Sequence, residues 1–194
     1  GQCGSCWAFA AVGAMEAAFN LDAGNPDLDL DLSEQYLVAD CFTGGSCCGG
    51  WHSEAFEFAR TDGIPDEGCL SYVDGTGCSC GDTACGSDCT YRTGSSCSDR
   101  TCPSRCGDWA SRIRRIGAWG YVPASRSAIQ QQLIDKGPLA VAMHMGGWWS
   151  NGVNYCTAGE ESQGVNHGVV IVGYTDAGGY WIVRNSWGTA WDDD

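Results

Sequence analysis

Apolar residues follow two patterns in this chain: helical spacing near its start and continuous runs near its end. Residues 6–23 are rich in alanine, with large apolar side chains at helical intervals and few charges. This pattern predicts a helix that is buried nearly all round, at the centre of a lobe. Ser5 is a candidate N-cap for this helix, and Gly24-Asn25-Pro26 is a strong stop signal.

The other predicted elements place helices first and strands afterwards. Ser33 is a candidate N-cap for the second helix. Further helices are predicted over 32–41, 52–60 and 125–138, and apolar runs predict strands over 139–145, 168–175 and 179–187. Helices followed by strands indicate an α+β protein of two lobes, a helical lobe at 1–108 and a β-rich lobe at 109–194.

Residues 69–106 contain eight of the chain's 14 cysteines and almost no aliphatic side chains. Such a segment cannot form an apolar core of its own, so we expect a loop-rich, cross-linked insertion. The cysteine spacings are irregular and none of the three histidines lies in the segment, which favours disulfides over a zinc site. Disulfides indicate an oxidising location, which is extracellular, periplasmic or lysosome-like.

The chain carries 24 acidic against 10 basic residues and a net charge of −14. Nucleic-acid binders need a basic surface, so this charge argues against a nucleic-acid partner. No apolar run approaches the roughly 20 residues that span a bilayer, so we expect no membrane segment. Residue 1 already lies within a dense motif, which indicates a mature product or a fragment.

The opening motif GQCGSCW contains two cysteines, Cys3 and Cys6. Such a pair is consistent with a redox site, half of a zinc site, or a structural cysteine beside a nucleophile. A cysteine in the first turn of a buried helix has its sulfur near unpaired N–H groups and the positive end of the helix dipole. Both lower the thiol pKa, and the thiolate is the nucleophilic form. Cys6 therefore has the position of a nucleophile, which needs a base and a group that orients the base.

Three histidines are candidates for that base. His52 lies at a helix start, His144 between two methionines in a strand pattern, and His167 at the start of an apolar strand. A junction between a loop and a strand can direct an imidazole into a cleft. Asn185 follows another strand, where its amide would hold the ring, and Trp187 would shield the pair from water. The order cysteine, histidine, asparagine therefore predicts a nucleophilic active site.

Six motifs, taken in order, resemble the papain-like cysteine protease family over essentially the whole chain: CGSCWAFA, LSEQYLVADC, SCCGG, GIPDEGC, VNHGVVIVGY and YWIVRNSWGTAW. GIPDEGC is similar to cathepsin X-like members, and cysteine-rich bacterial relatives fit equally well. The separation of Cys6 and His167 exceeds the family's usual one, and residues 69–106 account for the excess. The resemblance implies a helical left lobe with a buried central helix, a β-barrel-like right lobe, and an active-site cleft between them.

The resemblance also implies the role of each site residue. Cys6 would be the nucleophile, His167 its proton partner, and Asn185 the side chain that orients the imidazole. The backbone N–H of Cys6 would donate to the oxyanion. The family's glutamine donor would fall one residue before the chain begins, because Gln2 occupies a variable position. The resemblance implies no metal and no organic cofactor.

A second group of residues falls on the family's substrate-binding positions. Gly49 and Gly50 match the edge that pairs with the substrate backbone. The pocket for the second residue on the acyl side, and the shield beside the histidine, fall on Trp51, Ala142, Val165, Asn166 and Trp187. Most of these are apolar, so we expect a preference for a hydrophobic residue. The implied partners are protein or peptide substrates, with a pro-segment or cystatin-like inhibitors as further candidates, and we expect a monomer.

The family's cystine pattern implies two pairings, Cys3 with Cys47 and Cys41 with one cysteine of 69–106. Cys6 would stay free. The seven other cysteines of that segment, with Cys48, would form four bridges of open connectivity. Cys156 would be left over, because its family partner is expected beyond residue 194, where we expect the β-rich lobe to be truncated at WDDD.

Three functions remain as alternatives. An endopeptidase is favoured over a carboxypeptidase, because 69–106 lacks the paired histidines of the family's dipeptidyl-carboxypeptidases. In addition, Gly1-Gln2-Cys3 lacks the insertion of cathepsin X-like carboxypeptidases. A non-catalytic, disulfide-rich binding module on the same scaffold is the second alternative. A thioredoxin-like oxidoreductase is the third, and it would leave His167 and Asn185 unexplained.

Overall fold

The computed structural model describes residues 3–73, 101–146, 152–157, 159–160 and 162–188. The expectations about Gln2, about the cysteines from Cys78 to Cys97 and about the WDDD end fall outside these residues. None of the described helices is both long and apolar enough to cross a membrane. The described residues are α+β, with most helices preceding the main sheet, as the sequence predicts.

The elements are numbered here in chain order. They are α1 Cys6–Ala23, α2 Glu34–Val38, β1 Gly45–Ser46, β2 Gly49–Gly50, α3 His52–Thr61, a 3₁₀ turn Cys102–Ser104, α4 Trp109–Arg112, α5 Arg126–Lys136, β3 Leu139–Met143, β4 His167–Thr175 and β5 Tyr180–Arg184. Strands β1 and β2 form an antiparallel pair, and β3, β4 and β5 form an antiparallel sheet in that order. Within the described residues this sheet is open, whereas the resemblance implies a barrel-like lobe.

Helix α1 has the predicted bounds, but its two halves differ in burial. Its buried side chains all lie between Trp7 and Met15, whereas Leu21 is exposed. The expectation of burial all round is therefore wrong for the last turns, because they lead into the exposed loop 24–29. Gly24 has a φ of 60° and ends the helix in the left-handed conformation, as the stop signal predicts.

Helix α2 is shorter than the predicted span 32–41. Ser33 caps it, because the Ser33 hydroxyl accepts a hydrogen bond from the Tyr36 N–H at 3.1 Å. The helix ends at Val38, since Ala39 is already extended, with φ −80° and ψ 171°. The cap was therefore predictable from local sequence, and the early end was not.

The hydrophobic core lies among α1, α2, α3 and the loops that follow them. Its most completely buried side chains are Val12, Leu32, Leu37, Ile64 and Leu70, each at most 1% exposed. Burial of a large aliphatic side chain stabilises a fold by about 1.5 to 3 kcal/mol. The first half of α1 therefore has the buried central position that the sequence predicts.

Three disulfides join described residues: Cys3–Cys47, Cys41–Cys102 and Cys69–Cys106. The first two have the partners that the resemblance implies, and the third closes the base of the cysteine-rich segment. Cys48 is also disulfide-bonded. Cross-links that close long loops stabilise a fold mainly by restricting the unfolded chain, by typically about 2 to 4 kcal/mol each.

The sheet meets the helices through the first half of β4. The first five residues of β4, from His167 to Ile171, are buried, and the remaining residues are exposed or half-buried. A Cβ atom at Gly168 would lie 3.0 Å from the carbonyl oxygen of Cys6. The glycine therefore allows β4 to approach the start of α1 closely, backbone against backbone.

Three of the later elements, α5, β3 and β5, are shorter than their patterns predict, whereas β4 begins one residue earlier than predicted. Helix α5 begins after Ser125, whose hydroxyl accepts a hydrogen bond from the Ala128 N–H, and ends at Lys136. Strand β3 ends at Met143 and β5 at Arg184. The residues beyond these ends belong to loops, and two of those loops contribute to the site described below.

Residues 109–119 make contacts with the helical elements. Ile64 and Arg114 form an isolated antiparallel bridge. The Arg112 guanidinium donates to the Asp66 carboxylate, with Nε 2.6 Å from Oδ2. The division of the chain into lobes at residue 108 stays a prediction, and these contacts concern the residues just after that boundary.

Candidate active site

Cys6 is the first residue of α1, and hydrogen bonds fix the chain on both sides of it. The Gly4 N–H donates to the Cys47 carbonyl at 2.6 Å, and the Trp7 indole N–H donates to the Ser46 carbonyl at 3.1 Å. The N–H groups of a first helical turn have no acceptor within the helix. The backbone N–H of Cys6 is therefore a candidate donor to a bound ligand.

The glycines around this helix start permit close packing. A Cβ atom at Gly50 would lie 2.5 Å from Cε2 of Trp7, and one at Gly4 would lie 2.6 Å from the carbonyl oxygen of Cys47. Neither position has room for a side chain. The SCCGG run and the opening motif therefore pack directly against each other.

His167 begins β4, and Asn185 directly follows β5, which pairs with β4. The imidazole Nε2 lies 2.9 Å from Oδ1 of Asn185. That oxygen also accepts the Ser186 N–H at 2.8 Å, which fixes its orientation. Because an amide oxygen only accepts, Nε2 of His167 is the protonated nitrogen in this pair.

The other ring nitrogen of His167, Nδ1, is left to meet the thiol. The Cys6 thiol and the His167 imidazole interact through their side chains, and each shifts the pKa of the other. Trp187 covers the imidazole, with ring centroids 5.3 Å apart and an angle of 36° between the planes. His167 is only 8% exposed. The three predicted residues, Cys6, His167 and Asn185, therefore lie together in one chain of contacts.

The pKa values of the thiol and the imidazole shift in opposite directions. Burial alone would raise the pKa of Cys6, but hydrogen bonds from His167, Gly168 and Trp7 and the charge of His167 bring it below its ordinary value. Burial alone would lower the pKa of His167, but its contacts with Cys6 and Asn185 bring it above its ordinary value. These shifts favour a thiolate paired with an imidazolium.

A cleft of about 280 Å³ opens beside this pair. The predicted substrate-binding residues that line it are Gly49, Gly50, Trp51, Ala142, Val165 and Asn166. Trp51 and Val165 are 49% and 50% exposed. Trp187 does not line this cleft, and its contact is with the ring of His167.

Asn166 lines the cleft, but its amide is used within the protein. Its Oδ1 accepts the Met145 N–H at 2.7 Å, and its Nδ2 donates to the Met145 carbonyl at 3.1 Å. Its own N–H donates to the Met143 carbonyl at 3.0 Å. These bonds fasten the loop before β4 to the end of β3, so Asn166 positions the segment that carries His167.

The contact between Ser5 and Tyr72 was missed by reasoning from the sequence. Ser5 was expected to cap α1, but its hydroxyl lies 2.7 Å from the Tyr72 hydroxyl and makes no cap hydrogen bond. The Tyr72 ring packs edge-on against Phe9, with centroids 4.9 Å apart. The helix start is therefore held from a point 67 residues away in sequence, which no local pattern signals.

The three candidate bases have different surroundings. His167 alone among them meets Cys6 in the described residues. His144 contacts the Gly164 carbonyl through Nδ1 at 2.9 Å and does not line the cleft. His52 lines the cleft, a placement that the sequence reasoning missed. Its position directly after the GGW run is the signal that could have indicated it.

Two further features of the described residues complete the site's surroundings. No group of three or more His, Cys, Asp or Glu side chains in that part of the chain is arranged to hold a metal ion. Cys156, which was expected to lack its partner, has a free and exposed thiol.

A sequence profile of the papain family cysteine proteases matches residues 1–194. Cathepsin S of Bos taurus is 34% identical over 208 residues, which is 100% of this chain and 52% of that protein. Digestive cysteine proteinase 2 of Homarus americanus is 31% identical over 205 residues, 100% of this chain and 54% of that protein. The chain thus spans about half the length of these curated relatives.

Solved structures show the same fold. Digestive procathepsin L 3 from the larval midgut of Tenebrio molitor superposes with a TM-score of 0.75 at 27% identity, covering 100% of this chain and 56% of that one. The Carica candamarcensis cysteine protease CMS1MS2, solved in complex with E-64, gives 0.72 at 24% identity, covering 100% and 77%. The fold is therefore the two-lobe α+β fold of these proteins.

Proposed function

Because the chain belongs to the papain family of cysteine proteases, we propose that it is a cysteine-type endopeptidase acting through Cys6, His167 and Asn185. One observation carries this proposal. The thiol and the imidazole are paired beside a cleft, with the pKa of Cys6 lowered and the pKa of His167 raised. A thiolate at ordinary pH is the nucleophile that peptide-bond hydrolysis by a cysteine requires.

In the acylation step, the Cys6 thiolate attacks the carbonyl carbon of the peptide bond and forms a carbon–sulfur bond. The carbonyl oxygen becomes an oxyanion, to which the backbone N–H of Cys6 donates. His167 gives its Nδ1 proton to the leaving amine as the carbon–nitrogen bond breaks. The products of this step are a free amine, a thioester on Cys6 and a neutral imidazole.

In the deacylation step, His167 takes a proton from a water molecule whose oxygen attacks the thioester carbonyl. The tetrahedral intermediate expels the Cys6 thiolate and releases the carboxylic acid product, which restores the thiolate–imidazolium pair. The bond from Nε2 to Asn185 keeps Nδ1 directed at Cys6 through both steps. Trp187 limits the access of water to the ring.

The substrate preference follows from the walls of the cleft. Gly49 and Gly50 would pair with the substrate backbone as an added strand. Trp51, Ala142 and Val165 would surround the second residue on the acyl side, which favours a hydrophobic side chain there. None of the chain's three histidines lies in 69–106, which supports an endopeptidase over a dipeptidyl-carboxypeptidase.

We extend the proposal to the setting of the protein. Disulfides persist in oxidising compartments, so three in the described residues support a secreted or lysosome-like location. The division into a helical lobe at 1–108 and a β-rich lobe at 109–194, the monomeric state, and inhibition by a pro-segment or by cystatin-like proteins belong to the same proposal.

Hydrolysis of an internally quenched peptide, blocked at both ends, with leucine as the second residue on the acyl side tests this function. Under mild reduction, the protein should hydrolyse the peptide, and Cys6→Ala should be inert. Cys156→Ala, which removes the other free thiol of the described residues, should hydrolyse it like the wild type. A wild-type protein that neither hydrolyses peptides nor is labelled at Cys6 by a peptidyl epoxide would refute the proposal. Binding of the peptide without hydrolysis would instead support the binding-module alternative.

A further inference from the structure

The wall of the cleft holds an ionisable side chain that the proposed mechanism does not use. His52 is the first residue of α3 and lines the same cleft as Cys6 and His167. Its Nδ1 atom is buried and has no hydrogen-bond partner among the described residues. Its ring packs near Phe56, with centroids 6.5 Å apart.

Stability alone does not explain a histidine at this position. A buried polar atom without a partner destabilises a fold, whereas an apolar side chain of similar size leaves nothing unpaired. The charge also gains nothing from the helix, because an imidazolium in the first turn of α3 faces the positive end of the helix dipole. Because His52 lines the cleft, a contact between its other ring nitrogen, Nε2, and a ligand there explains the histidine better.

The charge of the cleft differs from that of the molecule around it. The chain has a net charge of −14, yet the residues that line the cleft include no Asp, Glu, Lys or Arg. Three side chains there can ionise: Cys6 and His167, which pair with each other, and His52. His52 therefore lines a cleft that no protein carboxylate lines, so an acidic group of a ligand would meet no like charge there.

The acidic side chains on the same helix are occupied elsewhere or exposed. Glu57 accepts two hydrogen bonds from Arg60 and one from the Trp119 indole. Glu54 is exposed, and its carboxylate lies toward Gly44, where a Cβ atom would be 3.0 Å from Oε2. Neither carboxylate lines the cleft.

We propose that His52 determines specificity in this cleft by donating a hydrogen bond to a carboxylate side chain on the second residue of the acyl side. This inference rests on the proposed peptidase function. Trp51, Ala142 and Val165 keep the pocket suitable for hydrophobic residues, so the acidic residue is an added class of substrate.

The hydrogen bond depends on pH in a defined direction. Burial lowers the pKa of His52, so the imidazole is neutral at neutral pH and becomes protonated as the pH falls. A glutamate side chain loses its charge below its own pKa of about 4.3. Acceptance of glutamate should therefore rise as His52 becomes protonated and fall again as the glutamate side chain loses its charge. A sulfonate, as in cysteic acid, stays ionised throughout, so its acceptance should keep rising as the pH falls.

The test compares two blocked peptides that differ only at the second residue, cysteic acid in one and leucine in the other. The ratio of their kcat/KM values removes the pH dependence that Cys6 and His167 impose on both. In the wild type the ratio should rise as the pH falls from 7.5 and His52 becomes protonated, by about tenfold or more in total, as expected for a charge-assisted hydrogen bond. In His52→Gln it should stay level. His144→Gln, which changes the histidine that does not line the cleft, should behave like the wild type.

The outcomes separate this inference from the function on which it rests. If the leucine peptide is hydrolysed but the wild-type ratio of kcat/KM values does not rise as the pH falls, the specificity proposal is overturned. A rise of equal size in the wild type and in His52→Gln overturns it as well. If no peptide is hydrolysed, the peptidase proposal itself has failed. If His52 is purely structural, His52→Gln should lower the free energy of unfolding and leave the pH dependence of the ratio unchanged. Should His52→Gln not fold, the wild-type ratio alone decides.

Discussion

The two parts of the molecule that meet at the cleft are built differently. The helical part, α1 to α3 with the loops up to residue 70, holds most of the buried side chains and at least one cysteine of each described disulfide. In the sheet part, α5 with β3 to β5, full burial is confined to the first five residues of β4. Those five residues lie where β4 approaches α1.

This difference assigns different tasks to the two parts. The helical part holds Cys6 at the start of a well-packed helix. The sheet part supplies His167 and Asn185, whose position depends on how β4 rests against α1. Substitutions in the helical core should therefore act first on stability, and substitutions at the contact between β4 and α1 should act first on activity.

The largest expected effect is at that contact. In Gly168→Ala, the added methyl group would lie 3.0 Å from the carbonyl oxygen of Cys6, so β4 must shift and carry His167 with it. We expect a loss of about 10²-fold in kcat/KM, the scale of a misplaced catalytic group. Gly173→Ala, on the same strand, meets only the Ile182 side chain, whose nearest atom is Cδ1 at 3.4 Å, and should keep its activity. Equal activity of the two variants would contradict the dependence of the site on this contact.

The second prediction compares burial in the two parts. Leu37→Ala removes a side chain that is 0% exposed from the helical core and should lower the free energy of unfolding by about 2 to 5 kcal/mol. Ile182 on β5 is 49% exposed, so Ile182→Ala should lower it by less than about 1 kcal/mol. Denaturant unfolding of both variants measures the difference. Similar losses would mean that the sheet part is packed as tightly as the helical part.

Local sequence patterns predicted the helix starts and the strands that carry the candidate site. The stop at Gly24 and the cap at Ser33 follow from residue type alone, because each depends on a turn or a hydrogen bond within a few residues. The places of Cys6, His167 and Asn185 at element ends follow from the same patterns. The family resemblance then indicated which of these ends meet.

The contacts that could not be predicted join residues far apart in sequence. Ser5 is bonded to Tyr72 in place of its own helix, and the Asn166 amide is bonded to the Met145 backbone. In each case a distant partner competes with the local or solvent contact that the sequence suggests. The place of His52 in the cleft wall also depends on how β2 leads into α3, which the apolar pattern does not encode.

The third prediction concerns acidic side chains in the helical part. Burial raises the pKa of Glu34 to about 8 and that of Glu16 to about 7, above the ordinary 4.5. A carboxyl whose pKa is raised in the folded state stabilises the fold at pH values below its ordinary pKa. This stabilisation is lost as the pH rises through the folded-state pKa. Unfolding free energy should therefore fall between about pH 4.5 and 8, by roughly 2 to 3 kcal/mol for Glu34, which is about half of what the full pKa change would give, because solvent screens this half-buried carboxyl.

Variants test this pH dependence. Glu34→Gln should remove most of the decline, while Glu57→Gln, at an exposed position of α3, should leave it unchanged. The measurement is denaturant unfolding at a series of pH values. A decline of the same size in Glu34→Gln and in the wild type would show that Glu34 is not its source.

The smallest expected effect is at the ion pair that attaches residues 109–119 to the helical part. Burial opposes the charge of Asp66, but the Arg112 guanidinium brings its pKa below the ordinary value. The stabilisation is therefore present above the ordinary aspartate pKa and is lost as the pH falls through the lowered value. Asp66→Asn should lower Tm by about 2 °C or less at pH 7, and by progressively less as the pH falls below the ordinary aspartate pKa. A larger loss at low pH would contradict the sign.

The central claim is that a base from the sheet part holds the nucleophile of the helical part as a thiolate. The most direct test measures the rate of Cys6 alkylation by iodoacetamide against pH, with Cys156 as the reference thiol in the same protein. Cys6 should react below the ordinary cysteine pKa of about 8.5, and His167→Gln should move its reaction to higher pH. The same pH dependence for Cys6 in the wild type and in His167→Gln would contradict the claim.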